Sequence, residues 1–389
     1  MSPHIPKSGQ RLLSLDIMRG ITVAGMILVN NPGNGDCSYE PLHHAAWNGL
    51  TPTDLVFPFF MFIMGISTYM SLRKSDFRPS ISLIVKILRR SVIIFAIGLA
   101  ITWFGLFMRG INSGAEVLAA ALDFSHLRLL GVLPRLALCY CVASIVAVTL
   151  RHRYLPFLVV TLLVTYTAVL LAGHGWEFSG DNVISIVDHK VLGADHMHTT
   201  RVDGVAMKFD PEGLLSTLPS IAHVLIGFLC GMTIMSTSSN RDRINKLFII
   251  GTALTFAGLL LSYGLPINKR IWSPTFVLTT CGMAASLLAL LVWAIDIKGW
   301  KRWTRFFHVF GVNPLFLYVL SEVMEISFGY ECITVGAEVL SVRDILFGWF
   351  YSLPGFAPSF ASLCYTIVFV LLNWLVGLFL YRKNIYIKI

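Results

Sequence analysis

Apolar runs of about twenty residues recur from one end of this chain to the other, and no other feature restricts its fold as much. Wound as a helix at about 1.5 Å per residue, such a run crosses the ~30 Å hydrocarbon core of a bilayer. Only 13% of the 389 residues are charged, against about 25% in soluble domains. Lipid offers the backbone no hydrogen-bond partners, so spanning segments of this kind fold as helices. The sequence therefore predicts an all-α polytopic membrane protein with ten spans, at about 13–30, 53–72, 84–107, 129–150, 155–172, 215–235, 247–263, 274–295, 306–320 and 360–381. Residues 342–353 are apolar but too short to span and read as a re-entrant or interfacial piece. No long polar block interrupts the pattern, so residues 1–389 read as one transmembrane domain.

Charge gives an orientation. Six stretches hold 21 of the 30 basic residues: the N-terminal segment, 73–90, 151–153, 241–246, 298–305 and 382–388; only 4 of the 21 acids lie in or beside them, Asp16, Asp76, Asp242 and Asp296. An even number of spans puts both termini on one side, and the positive-inside rule makes that side cytoplasmic. The net charge of +9 is thus orientation information rather than a nucleic-acid signal. The first apolar run carries Asp16 and Arg19 and has no small-residue cleavage site, so it reads as a signal anchor. His44, the turn at 266–272 and the long loop 173–213 fall on the outer side, where the loop reads as a structured cap over a polar pocket. Five of the seven cysteines lie in apolar runs. Cys37 and Cys332 lie in loops, where a disulfide between them is one option.

The residues with chemistry gather at that outer side. The stretch HHAAWNGLTPTDLVFPFFMFIMG delivers two histidines, His43 and His44, and Asp54 to the start of a hydrophobic helix. Imidazole titrates near neutrality, so either histidine suits a general base or an acyl-accepting nucleophile, and spacing does not separate them. Asn30 closes the first helix at the same end, where a side-chain amide could donate to an oxyanion. Asp16 and Arg19, three apart, either pair along one helix face or offer Arg19 to an anionic ligand from the cytoplasm. Arg128 and Arg135 frame LRLLGVLPR. An arginine inside an apolar helix needs a partner, either an acid such as Glu322 or a ligand phosphate, and Pro134 before it suggests a kink. Glu212, in DPEG, and Asn268 and Lys269, in NKR, offer polar groups to a ligand in the outer pocket. Asp195, His196 and His198 have too few companions for a metal site, and no metal is expected. Asn313 and Pro314 inside an apolar span imply a packed environment away from lipid.

These pieces together resemble the heparan-α-glucosaminide N-acetyltransferase family of transmembrane acyltransferases, in its bacterial form. The resemblance rests on LDIMRG, VNNPG, the histidine stretch above, LRLLGVLPRLALCY, DHMH, DPEGLLSTLPSIAHVLIGFLCG, LPINKRIWSPTF, GVNPLFLY and the terminal YRKNIYIKI, in family order from near residue 12 onward. Pro134 departs from the glutamine that the family often carries. The resemblance implies transfer of an acetyl group from cytoplasmic acetyl-CoA to the amine of a glucosamine-type sugar across the membrane. It also implies that His44 is the active histidine, that Asn30 is the family asparagine, and that the protein is a homodimer in a bacterial inner membrane. Lysosomal members add a lumenal N-terminal domain, which is not expected here.

The expected site then has His44, Asn30 and Asp54 as catalytic groups. Asp16, Arg19, Arg128 and Arg135 would hold acetyl-CoA, and Glu212, Asn268 and Lys269 the sugar. Asp54 orients His44 or binds the sugar, and both a ternary complex and an acetyl-His44 intermediate are open. Two other readings stay alongside: an O-acyltransferase of a cell-envelope glycan, and a sugar or solute transporter with no chemistry, in which Arg135 and Glu322 would mark a path.

Overall fold

A computed structural model describes residues 12–335 and 338–387. The basic residues expected at the N-terminus before residue 12, and Lys388, lie outside the described residues. In chain order the elements are α1 (Leu13–Asn30), α2 (Val56–Leu72), α3 (Ile81–Asn112), α4 (Val117–Leu122), α5 (Val132–Thr149), α6 (Leu155–Ala172), α7 (Val183–Leu192), β1 (Thr199–Val202), β2 (Val205–Lys208), α8 (Thr217–Ser236), α9 (Asn240–Leu261), α10 (Pro274–Leu291), α11 (Thr304–Val312), α12 (Pro314–Phe328), β3 (Glu331–Val335), β4 (Glu338–Ser341), α13 (Val342–Tyr351) and α14 (Pro358–Arg382). The two small sheets are antiparallel hairpins, β1–β2 and β3–β4.

Among the described residues nine helices are long and apolar enough to cross a membrane, and a tenth span results if the bent pair α11–α12 counts as one. The predicted helical membrane fold and its span count are therefore what the chain adopts. The spans sort into two shells by burial. The α8 and α10 spans are 72% buried inside the protein, whereas α3 and α9 are 17% buried and present their flanks to lipid. The inner helices approach closely where side chains are small. A Cβ on Gly65 of α2 would strike the α8 backbone at Val224, and one on Gly227 of α8 would strike α2 at Phe62. Small residues at such crossings let backbones pack without an apolar driving force.

Two expectations change in detail, and one open option closes. The ninth span, expected as one helix over 306–320, is two helices that meet at 86° at Asn313. Pro314 opens α12 at a position where its missing N–H costs nothing. The Asn313 side-chain amide pairs with residues 385–387: Nδ2 donates to the Ile385 carbonyl (2.9 Å) and Oδ1 accepts from Ile387 N (2.9 Å). Pro134 does not kink its helix, because α5 begins at Val132 and leaves Pro134 in the first turn. Cys37 and Cys332 are both free thiols. The stretch 342–353 is the short helix α13, and 173–213 is a folded excursion containing α7 and the β1–β2 hairpin.

Candidate active site

The chain between α1 and α2 makes three short 3₁₀ turns, the last over Pro52–Leu55. Thr51 caps that turn, and Asp54 three residues later completes a capping box. Asp54 Oδ2 accepts from Thr51 N (3.1 Å), Thr51 Oγ1 (3.0 Å) and Ala45 N (3.1 Å). This fixes the carboxylate so that Oδ1 faces His44 Nδ1 at 2.7 Å. A carboxylate only accepts, so Nδ1 carries the imidazole proton and Nε2 is left as the basic nitrogen. Asp54 is fully buried, but 43% of the His44 side chain is exposed. The ring is therefore anchored from below and open above. His43 is different: its Nε2 lies 3.0 Å from the Ser38 carbonyl, within its own loop. The structure thus separates two histidines that sequence spacing does not.

Residues 45–49 lock this loop to its surroundings. Trp47 Nε1 donates to the Trp176 carbonyl (2.8 Å), and its ring packs on Phe178 and Phe209 of the excursion. Asn48 Oδ1 accepts from Asn268 Nδ2 (3.1 Å), and Gly49 N donates to the Ile267 carbonyl (2.8 Å). Gly49 has φ +123°, a backbone region that glycine takes without strain. Asn268 also accepts from Ile271 N (3.1 Å), so both ends of this fully buried amide hold the turn. That turn brings Lys269 to the imidazole. Its Nζ lies 3.0 Å from His44 Nδ1, 3.3 Å from Nε2 and 3.5 Å from Asp54 Oδ1.

Partial burial pushes the His44 imidazole below its ordinary pKa; the Asp54 hydrogen bond opposes this, and the Lys269 charge adds to the lowering. Burial likewise lowers the Lys269 ammonium, while Asp54 and Glu212 pull it back up. Glu212 belongs to the next cluster. Burial alone would raise its carboxyl, but Arg128, Arg135 and Lys269 outweigh burial and hold it at about 2.

Arg128 is held by two carboxylates. It donates through Nε (2.9 Å) and Nη2 (2.6 Å) to Asp210 and through Nη2 to Glu212 (2.5 Å). Asp210 also accepts from His198 N, and His196 holds the Leu127 carbonyl at 2.8 Å. The DHMH and DPEG pieces thereby bind the loop ahead of α5. Arg135 is fully buried, with Ser216 Oγ and the Gly213 carbonyl as acceptors and its guanidinium 5.2 Å from the Trp272 ring. Its partner is therefore not Glu322, as one sequence expectation had it. Glu322 instead meets the Tyr318 hydroxyl and the side-chain amide of Asn30. Tyr318, Glu322 and Glu325 recur at helical spacing along one face of α12, and Glu325 pairs with Arg343 (3.5 Å). Tyr318 lies within electrostatic range of Glu212 and Arg128, so this face borders the same polar region.

The predicted residues thus fall into two groups. His44, Asp54, Asn30, Lys269, Asn268, Glu212, Arg128 and Arg135 belong to one end of the bundle. Asp16 and Arg19 lie toward the other end of α1. There Arg19 donates to Asp16 Oδ1 (2.9 Å), Ser67 Oγ (2.9 Å) and the Gly311 carbonyl (3.3 Å). The four residues expected to hold acetyl-CoA are therefore not brought together. Arg270, in electrostatic range of Asp54 and Glu212, was absent from the expected set, as were Ser216, Trp272 and Tyr318. A polar stripe at 318, 322 and 325 in an apolar helix was the legible signal for the last of these.

Residues 11–265 match the family model described as "Heparan-alpha-glucosaminide N-acetyltransferase, catalytic". The human protein named heparan-alpha-glucosaminide N-acetyltransferase is 29% identical over 378 residues, covering 82% of this chain and 54% of that protein. The mouse protein of the same name is 26% identical over 377 residues, covering 83% of this chain and 55% of that protein. The chain spans about half the length of these curated relatives. With the family model matching well over half of its length and the motif histidine held by a buried aspartate, this chain belongs to the heparan-alpha-glucosaminide N-acetyltransferase family.

Proposed function

We propose that this protein moves the acetyl group of acetyl-CoA, supplied from the cytoplasm, to the amine of a glucosamine-type sugar on the opposite face of a bacterial inner membrane. On the same family resemblance it would work as a homodimer. The observation that carries the reading is the His44–Asp54 pair: a base fixed at 2.7 Å by a buried carboxylate, with its ring open to one end of the bundle. A protonated sugar amine is not a nucleophile, so transfer to nitrogen needs such a base. In this reading the ammonium first releases one proton to solvent; His44 Nε2 then takes a second N–H proton as nitrogen attacks the thioester carbon, the C–S bond breaks, and the imidazolium protonates the departing thiolate. Asp54 holds the tautomer and steadies the transient positive ring. The Lys269 charge favours the neutral imidazole, the form that acts as base.

Asn30 supplies the oxyanion donor. Its side-chain amide lies against Glu322 at the same end of the bundle as His44, where an amide N–H suits the developing oxygen anion. Glu212 is bound by Arg128 but keeps part of its carboxylate open, and it suits the sugar's hydroxyls or ammonium. The CoA phosphates stay on the basic face, and the pantetheine arm reaches into the bundle.

Labelled acetyl-CoA on the basic-loop side of proteoliposomes, with glucosamine on the other, tests the reading. Wild type should yield labelled N-acetylglucosamine, and His44→Ala should lose on the order of 10²–10⁴-fold in turnover while still inserting and folding. Glucosamine uptake without CoA consumption would reject the chemistry, and an ester product would reject the amine as acceptor.

A further inference from the structure

Lys269 is itself an amine at the place where the proposed reaction needs one. Its Nζ lies 3.0 Å and 3.3 Å from the two ring nitrogens of His44, and 84% of its side chain is covered. Among the described residues its close polar partners are the His44 ring, where Nε2 is the acceptor, and Asp54 Oδ1, the two groups assigned to proton handling. The turn that carries it is held rigid by Asn268, whose amide bonds both Asn48 and Ile271 N. The nitrogen is thus delivered to the base by a fixed piece of backbone on a flexible four-carbon arm.

We propose that Lys269 is an internal acetyl acceptor: with acetyl-CoA present and no sugar in the pocket, the site acetylates its own Lys269 Nζ. The proposal rests on the transferase reading above. The step is the sugar reaction with one nucleophile exchanged. The ammonium first releases a proton to solvent. The neutral amine then attacks the thioester carbon, a C–N bond forms and the C–S bond breaks. His44 Nε2 takes the second N–H proton and returns it to the CoA thiolate. The products are an amide at Lys269, free CoA–SH and one proton. Burial of the ammonium favours the neutral amine that the step requires.

The consequence is self-limitation. An acetylated Lys269 loses its charge, places a neutral amide against the imidazole and occupies the space of the acceptor. Glucosamine, by filling that space, protects the residue.

The test is peptide mass spectrometry on the full-length protein in proteoliposomes after incubation with acetyl-CoA, with product formation from glucosamine measured in parallel. Lys269 should be acetylated on the order of a hundred-fold faster than exposed Lys208 of β2, the lower end of what a positioned base contributes. The modification should vanish in His44→Ala and fall as glucosamine is raised. Equal acetylation in wild type and His44→Ala would mark it as unassisted chemistry and overturn the proposal. Sugar acetylated while Lys269 stays unmodified would overturn it and leave the transferase reading intact. No transfer to either amine would remove both.

Discussion

At the scale of single residues, the site is a set of carboxylates with different obligations. Asp54 gives one oxygen to three donors and the other to His44. Asp54→Asn keeps the shape but can present an N–H to Nδ1, which reverses the tautomer. Turnover should drop about 10²-fold or more, measured as kcat at saturating acetyl-CoA. The Lys269 charge acts on the same ring from the other side. In the proposed reaction neutral imidazole is the active form, so kcat/KM should rise with pH through a midpoint below the ordinary value of about 6.5. Lys269→Met removes a charge that lowers the His44 pKa, so this acid limb should move to higher pH; an unmoved limb would mean that Lys269 does not govern the base. Much of this was legible in the sequence. The histidine pair, Asp54 and the Asn–Lys–Arg turn all stand out in an apolar chain. The choice between His43 and His44 was not, because it depends on which ring meets a carboxylate ten residues further on. The partners of Arg128 and Arg135 were hidden for the same reason: Asp210, Glu212 and Ser216 lie some eighty residues away along the chain.

At the scale of elements, two junctions matter most. Gly65 and Gly227 set how close α2 and α8 lie, and α2 begins at the Asp54 cap. Gly227→Leu must drive α8 off the Phe62 backbone and should destabilise the fold by about 3 kcal/mol or more, read as a lowered unfolding temperature in detergent. The other junction is the 86° break between α11 and α12, which aims the Tyr318–Glu322–Glu325 face at Asn30 and the Arg128 cluster. If Glu322 acts by orienting Asn30, Glu322→Gln should slow wild type several-fold yet add little in an Asn30→Ala background. Equal losses in both backgrounds would show that Glu322 acts by itself. The nine continuous helices were readable because hydrophobic length alone defines them. The broken one was not: Phe306 to Leu320 is as apolar as a span, and only the pairing of Asn313 with Ile385 and Ile387 shows why the chain turns there.

At the scale of the whole molecule, the two-shell bundle carries the His44 cluster at one end and its basic loops at the other. An impermeant thiol reagent should therefore modify exposed Cys332 from the His44 face, whereas buried Cys139, Cys230 and Cys281 stay unmodified. Labelling of Cys332 from the face that bears Arg73–Ser75 would invert this orientation. The sequence carried this polarity in its loop charges, which needed no partner to be read; which inner helices touch needed the third dimension. One carboxyl joins these levels. Asp54 starts the helix that packs at the centre of the bundle and also holds the imidazole. Selection for a sturdy protein and selection for a fast one therefore act on the same side chain. A laboratory screen for heat resistance alone should retain this aspartate even in a population freed from any demand for activity, and the base would be preserved as a by-product of the helix.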